Sequence, residues 1–329
     1  MEPLRIGVLG AARITNAAVV RPARSNSRVV VSAVAARDVS RASAWAAKRG
    51  VPRVLPDYSS LVEDPDIDAV YVPLPNGLHG RWTLASIAAG KPVLCEKPFT
   101  ANAEEARHVA EAARSSDVVV MEAFHNRHHP MAPRLKEIVS SGELGPIRRI
   151  ESSLCFPLPS SGDIRYNLAL AGGAMMDAGC YPLNLCRYLV GREPVVTRAS
   201  ALTRGTGIDR AMDAELDFGE GTTGRVVCSI WSGSVMRMSV RVVGEHGELR
   251  AFNPFSPQVF HRIAVRTPAG HRVERLTRRS TYAFQLDAFV AAVRDGAPVV
   301  TDADDAVANM SVIDAIYEAS GLGIRQPTA

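Results

Sequence analysis

Strand and helix signals alternate in unbroken rhythm through the first 124 residues, and few folds accommodate that order. "LRIGVLG" (4–10) and "RVVVSAVAA" (28–36) are near-continuous apolar runs. Such runs suit strands covered on both faces, as in a parallel sheet, whereas a strand with one wet face would alternate. Ala-rich "DVSRASAWAAKRG" (38–50) reads as a helix stopped by Gly50. Further strands are predicted at "IDAVYVPLP" (67–75), "KPVLCEKP" (91–98) and "DVVVMEAF" (117–124). Helical "LHGRWTLASIAAG" and "NAEEARHVAEAARS" lie between them, the second with Asn102 three residues before Glu105, a capping-box-like start. Each parallel strand needs a crossover, so the alternation implies a doubly wound parallel sheet, a dinucleotide-binding Rossmann domain over residues 1–124.

After residue 124 the rhythm changes. "IRRIESSLCF" (147–156) reads as a strand and "GGAMMDAGCYPLNLCRYLVG" as a helix. Strands "DAELDF" and "GRVVCSIW" follow, then two hairpins turning at Gly244–Gly247 and Pro268–Gly270. Neighbouring strands joined by short turns make an antiparallel sheet, hence an α+β second domain over 125–329 for substrate binding and oligomerisation. The helices "TYAFQLDAFVAAVRDG" and "DADDAVANMSVIDAIYEASG" close the chain, the C-terminal one able to pack back on the first domain.

Bulk properties exclude several classes. The 329 residues suffice for two domains, and a net charge of +4 without an arginine-rich arm or zinc-finger spacing gives no argument for nucleic acid. Arg-rich "HRVERLTRRS" (271–280) reads as a solvated face. Five cysteines without a CxxC pair are expected as reduced core thiols. The chain runs directly into a strand with no signal peptide, and no apolar segment reaches membrane-spanning length; a cytoplasmic protein with no membrane partner is expected.

The chemistry-bearing residues sit at strand ends. Gly10, Ala11, Ala12, Arg13 and Ile14 follow the first strand, where backbone N–H groups would face a pyrophosphate, although Ala12 and Thr15 break the glycine fingerprint. The same turn also suits ordinary packing. At the end of the second strand, where an acid would grip the ribose of NAD, the chain has Ala36-Arg37; a guanidinium there favours NADP, with NAD possible. Asp38 reads as the start of the next helix. In "PLPNGLHG", Leu74, Asn76 and His79 are candidates for ribose or nicotinamide, and equally suit a proline-rich turn with Asn as a cap. "CEKPFT" places Glu96 and Lys97, one of only four lysines, at another carboxyl edge. A lysine there offers a compact cation whose pKa can move.

Asp177 and Tyr181 stand four residues apart and would share one helix face. A phenol beside a cation can exchange a proton with a ketone or alcohol oxygen. Core packing of Tyr181, with Asp177 as a helix cap, is the alternative. Arg165 in "GDIRY" reaches substrate oxygens or lies in a surface loop. The histidines of "HNRHHP" (125–130) lack a completing carboxylate or Cys, so no metal is expected and a polar wall is the preferred reading.

Together "IGVLGAARI", "YVPLPNGLH", "CEKP", "GGAMMDAGCY" and "DAVANMSVIDAIYEAS" resemble the glucose–fructose oxidoreductase/inositol dehydrogenase family (Gfo/Idh/MocA) along essentially the whole chain. The resemblance implies an N-terminal Rossmann domain and a C-terminal domain with a large, open, mostly antiparallel sheet. It also implies a nicotinamide cofactor, sugar, polyol or diol substrates, and no metal. It implies Lys97 as catalytic lysine, a cis bond before Pro98, and Asp177 as polar partner. Tyr181, where many members carry His, is similar to the branch of dihydrodiol and xylose dehydrogenases and nucleotide-sugar 3-ketoreductases. "GDIRY" and "EAFHNRHHP", which contain Arg165 and His125, also resemble that branch; Arg165, His125, Asp177 and Phe156, the last at the end of the strand 147–156, are the candidates for substrate contact. A homo-oligomer through the second domain's sheet is expected, because one face of an antiparallel sheet needs cover. A cofactor-binding sensor without turnover is the reading from another class.

Overall fold

The computed structural model describes residues 2–160, 162–205, 207–234 and 236–329. They form two compact units, one running through His128 and including Ser280–Val307, the other comprising His129–Arg279 and Ala308–Ala329.

The first unit is built on β1 (Leu4–Leu9), β2 (Val29–Ala35), β3 (Arg53–Leu55), β4 (Ala69–Val72), β5 (Val93–Cys95) and β6 (Val120–Glu122). Their order is β3-β2-β1-β4-β5-β6 and every pairing is parallel, the doubly wound sheet expected from the apolar runs. The strand order reverses between β1 and β4, where such sheets bind ligands outside their carboxyl ends. Crossovers are made by α1 (Arg21–Ala23), α2 (Val39–Ala47), α3 (Tyr58–Glu63), α4 (His79–Ala88) and α5 (Ala103–Arg114). Two of their starts follow sequence chemistry closely. Asp38 caps α2 by accepting the Arg41 N–H at 3.0 Å, and Asn102 caps α5 by accepting the Glu105 N–H at 2.9 Å. Glu105 returns a carboxylate oxygen to the Ala101 N–H at 2.8 Å, one residue before the cap.

The second unit contains α6 (Met131–Ser140), β7 (Ile147–Cys155), α7 (Cys180–Val190), β8 (Val195–Arg204), β9 (Ile208–Asp217), β10 (Thr223–Ser229), β11 (Arg237–Gly244), β12 (Glu248–Phe252), β13 (Arg262–Thr267) and β14 (Gly270–Glu274). Its eight strands order as β14-β13-β12-β11-β7-β10-β9-β8, and only β7–β10 pair in parallel. Both predicted hairpins are present, closing at Val243–Glu248 and Thr267–Gly270. One face buries Ile150, Val226, Val240, Val242, Leu249, Ile263 and Val265, with α7 packed against β7 and β10. Alternation along each strand turns Glu151, Arg225, Arg241, Glu248 and Arg250 to the other face. There Arg225–Asp213 at 2.5 Å, Arg241–Glu151 at 3.6 Å and Arg250–Glu248 at 2.8 Å make a lattice of ion pairs, joined by Arg241–Glu248.

The chain then returns to the first unit with α8 (Thr281–Asp295), whose Leu286, Phe289 and Val290 join the core around Ile6, Val8 and Tyr71. The last helix, α9 (Ala303–Ala319), divides between the units, with its residues from Ala308 onward in the second. All five cysteines are buried free thiols. Among the described residues no helix is long and apolar enough to cross a membrane.

One departure from the sequence expectation concerns helix type. The segment expected as a single α-helix after Gly172-Gly173 begins with a π turn, Met175–Gly179, and becomes α-helical only from Cys180. A second π turn, Asn16–Val20, precedes α1. Each lies just ahead of a proline, Pro182 and Pro22. Proline has no N–H for the carbonyl four residues back, and its ring collides with that carbonyl in an α-helix. Widening the preceding coil relieves the clash.

Two histidines of the first unit are fully buried, His79 at 1% and His125 at 4% exposure. Burial lowers the pKa of His79 to about 4 and of His125 to about 3, and the Lys97 ammonium pushes both the same way. In the unfolded chain each would titrate near the ordinary value. Between that value and the lowered one the unfolded state therefore binds more protons, so stability is present above about pH 6.5 and falls with acidification. Each ring removes about 1.4 kcal/mol per pH unit across that window. The melting temperature should fall between pH 7 and 5, and His125→Gln should flatten the slope. A level melting temperature across that range would count against this assignment.

Candidate functional site

The first unit carries its candidate residues at the carboxyl ends of β1, β2, β4 and β5. Gly10 ends β1 with φ +98°, its N–H donating to the Ala35 oxygen at 2.6 Å. The positive φ favours glycine, and a Cβ there would stand 3.1 Å from Leu74 Cδ2, so that side chain would have to give way. Ala11 is mostly buried, Ala12 and Ile14 are half-buried and Arg13 is exposed. The small side chains and the positive φ at Gly10 leave a backbone turn that fits a pyrophosphate.

At the end of β2, Arg37 is exposed and Asp38 is already committed. Its carboxylate accepts both the Arg41 N–H and the Ser40 hydroxyl, the latter at 2.6 Å, and the Ser40 bond is the largest cause holding its pKa low. Tyr58 stands beside this strand end. Burial raises its pKa while Arg37 and Arg41 oppose the rise, so both guanidinium groups act on the phenol. Tyr58 meets Trp82 edge-on at 5.0 Å between ring centroids, and Arg41 reaches the Ala11 oxygen at 3.4 Å. Tyr58, Arg41 and Trp82 went unnoticed in the sequence. The one available signal was a tyrosine starting the helix after β3.

His79 does a different task from the one expected. Its two ring nitrogens lie 2.7 Å from the Pro98 oxygen and 2.7 Å from the Leu74 oxygen. A neutral ring carries one N–H, so it donates to one of these two acceptor carbonyls and only faces the other; the buried ring still lies between the "EKP" turn and the "PLPN" strand end. Asn76 opens the short 3₁₀ turn Asn76–Leu78 and is not its cap. Glu96 is nearly buried and accepts the Tyr71 hydroxyl at 2.6 Å. Lys97 follows, half-buried, and the Lys97–Pro98 peptide is cis, as the family resemblance implied. His125 is buried on Thr281 Oγ1 at 2.8 Å, its ring 4.1 Å from that of Tyr282. His129 belongs to the second unit, where it faces the Thr277 oxygen and accepts the Met131 N–H. Among the described residues no three His, Cys, Asp or Glu side chains gather in a way that could hold a metal ion.

The second unit holds Asp177 and Tyr181. Asp177 lies in the π turn at 9% exposure, and Tyr181 follows in the first turn of α7 at 8%. They straddle the change from π to α geometry, so the simple four-residue stacking expected of an α-helix does not relate them. Arg165 is drawn to this pair. Its Nε lies 2.6 Å from Asp177 Oδ2, and its Nη1 lies 3.1 Å from Asp163 Oδ1. The Asp177 charge is the largest cause raising the Arg165 pKa. Asp163 also accepts the Arg165 N–H at 3.1 Å, which fixes the 3₁₀ turn Ile164–Tyr166. The guanidinium expected to meet substrate oxygens is thus engaged by two carboxylates. The Tyr181 ring lies 5.9 Å from buried Phe255, and Phe156 is half-buried just past β7.

Comparison with known proteins gives this arrangement its family. Residues 4–124 match the model of the oxidoreductase family with an NAD-binding Rossmann fold, and residues 133–250 match the GFO/IDH/MocA C-terminal domain. A D-xylose 1-dehydrogenase (NADP(+)) from Haloferax volcanii is 36% identical over 323 residues, covering 97% of this chain and 98% of the relative. A dTDP-3,4-didehydro-2,6-dideoxy-alpha-D-glucose 3-reductase from Streptomyces violaceoruber is 32% identical, covering 98% and 97%. The crystal structure of KijD10, a 3-ketoreductase from Actinomadura kijaniata in complex with NADP and TDP-benzene, superposes with a TM-score of 0.89. It is 28% identical and covers 96% of this chain and 98% of its own. With both domains matched in order and relatives aligned end to end, the chain belongs to the Gfo/Idh/MocA family of oxidoreductases.

Proposed function

We propose that the protein is an NADP(H)-dependent oxidoreductase that interconverts a secondary alcohol and a ketone on a sugar, polyol or cyclic diol. The observation that carries this reading is Asp177, a nearly buried carboxylate paired with Arg165 one coil before the buried Tyr181 phenol. Relatives named for NADP and for sugar substrates support it.

In this reading residues 1–124 bind the dinucleotide, which when bound supplies or accepts the hydride. The Gly10–Ile14 turn holds the pyrophosphate, and Arg37 takes the 2′-phosphate, since Asp38 is spent on its helix cap. Leu74, Asn76 and Glu96 stand along the same strand ends. Substrate binding, expected of 125–329 as a whole, is assigned to the second unit alone, because 125–128 and Ser280–Val307 belong to the first; Phe156 and Arg165 stand on the substrate side. Tyr181 gives its hydroxyl proton to a ketone oxygen, or takes one from an alcohol. A free phenol ionises near pH 10, so the phenol needs a cation to bring that value toward neutrality. Lys97 is assigned that role, on a turn that His79 lies against. Asp177, paired with Arg165, keeps the polar groups in register.

Tyr181→Phe and Lys97→Ala should each lower kcat by about 10²–10⁴, while NADPH affinity measured by fluorescence stays within about twofold. Near-full activity in Tyr181→Phe would pass the proton role to another group, Lys97 first. Tight NADPH binding without oxidation across a broad panel of keto-sugars would instead favour a cofactor-binding sensor. Arg37→Ala should raise the KM for NADPH about tenfold or more and leave that for NADH nearly unchanged; equal changes would remove Arg37 from the phosphate.

A homodimer through the open face of the eight-stranded sheet is part of the same proposal. Phe252 is half-exposed there amid the arginine and glutamate ion pairs. Light scattering after size exclusion should give about twice the 35.3 kDa of one chain. Phe252→Glu should shift that mass toward the monomer, and a monomeric wild type at micromolar concentration would contradict the proposal.

A further inference from the structure

Deep in the second unit lies an ion pair that the reaction above does not use. Asp209, at the start of β9, is 0% exposed and Arg325, in the segment after α9, is 2% exposed. Arg325 Nη2 meets Asp209 Oδ1 at 2.7 Å, its Nε donates to the Gly172 oxygen at 2.8 Å, and its Nη1 donates to the Gly323 oxygen at 3.1 Å. The guanidinium lies 4.0 Å above the Tyr317 ring, whose hydroxyl donates to Asp209 Oδ1 at 3.1 Å. The other carboxylate oxygen accepts the Met175 N–H at 2.7 Å, the first residue of the π turn.

Gly172 and Gly173 are shaped by this cluster. Gly173 has φ +138°, and a Cβ on it would fall 2.1 Å from Asp209 Oδ1 and 2.7 Å from the Tyr317 hydroxyl. A Cβ on Gly172 would fall 2.6 Å from the Arg165 oxygen. The Gly-Gly step thus lets the backbone pass between the buried pair and the turn that bears Arg165. A buried ion pair is a poor source of net stability, because both charges lose their hydration. What this one does achieve is to hold the backbone at 172–175 from both sides.

We propose that Asp209 and Arg325, with Tyr317, are positioning residues that set the start of the π turn and so the placement of Asp177 and Tyr181. The proposal rests on the reading of Asp177 and Tyr181 given above, but its main test does not. Hydrogen exchange by mass spectrometry on the full-length Arg325→Met protein should show amides of 173–181 exchanging about tenfold faster or more, with β1–β6 unchanged. NADP+ reduction with D-xylose as probe should show kcat lowered about tenfold or more, NADPH affinity within about twofold, and a displaced pH limb of kcat. Arg325→Lys, which keeps the charge, should recover part of each change. Exchange that rises evenly over the molecule, with kcat and its pH limb unchanged, would overturn the proposal and leave a stabilising pair only. If Arg325→Met fails to fold, Tyr317→Phe removes a single bond to Asp209 and is judged by the same outcomes. Full turnover in Tyr181→Phe would sink the acid–base reading alone; the exchange at 173–181 still decides the positioning role.

Discussion

A charge withdrawn from water must find an opposite charge or several hydrogen bonds, and in this protein that requirement fixes the backbone around Gly172–Tyr181. Asp177 sits at 9% exposure against Arg165, and Asp209 sits at 0% against Arg325. The two pairs converge on one stretch of chain. Arg165 reaches the π turn through a side chain, and Arg325 reaches the Gly172 carbonyl just ahead of it. The glycines between them are there because no side chain fits.

The first unit solves a related problem with neutral groups. Its strand ends carry Gly10, Leu74, Glu96 and Lys97, and the links among them are mostly backbone to side chain. His79 sits between the Leu74 and Pro98 carbonyls and, as a neutral ring, donates to one of them, and the Tyr71 hydroxyl donates to Glu96. Burial keeps the two inner histidines neutral, so Lys97 has no imidazolium competing beside it. The scaffold is a sheet buried on both faces, which accepts no unpaired polar group and therefore exports its polar chemistry to the strand ends.

Legibility in the sequence followed the range of each interaction. Asp38 and Asn102 could be read as caps because their partners are three residues away. The hairpins at Gly244–Gly247 and Pro268–Gly270 were legible for the same reason. Arg37 stood out through the absence of an acid at its own strand end. His79 was harder: its two carbonyl partners are 5 and 19 residues distant, and a histidine before a helix resembles any polar loop residue. Arg165 gave no sign that it would turn onto Asp177. The π turns were hidden too, since a proline two or three residues beyond a coil can also mark a break or a kink.

By itself, the sequence determined the change from alternating strands and helices to an antiparallel sheet, most of the strands and helices, and the lysine, carboxylate and phenol that stand out chemically. Those features follow from periodicity and from residue types at strand ends, which are local. The sequence did not show β3, α3, α6 or β8, or that Ser280–Val307 returns to the first unit. Only the tertiary structure decided which charges neutralise one another. Asp209 and Arg325 are 116 residues apart, and Arg325 and Gly172 are 153 apart. Nothing in either neighbourhood marks the other, because an ion pair leaves no periodic trace in the chain. It becomes visible only once the sheet and its helices bring the two ends together and exclude the water that would otherwise have solvated each alone.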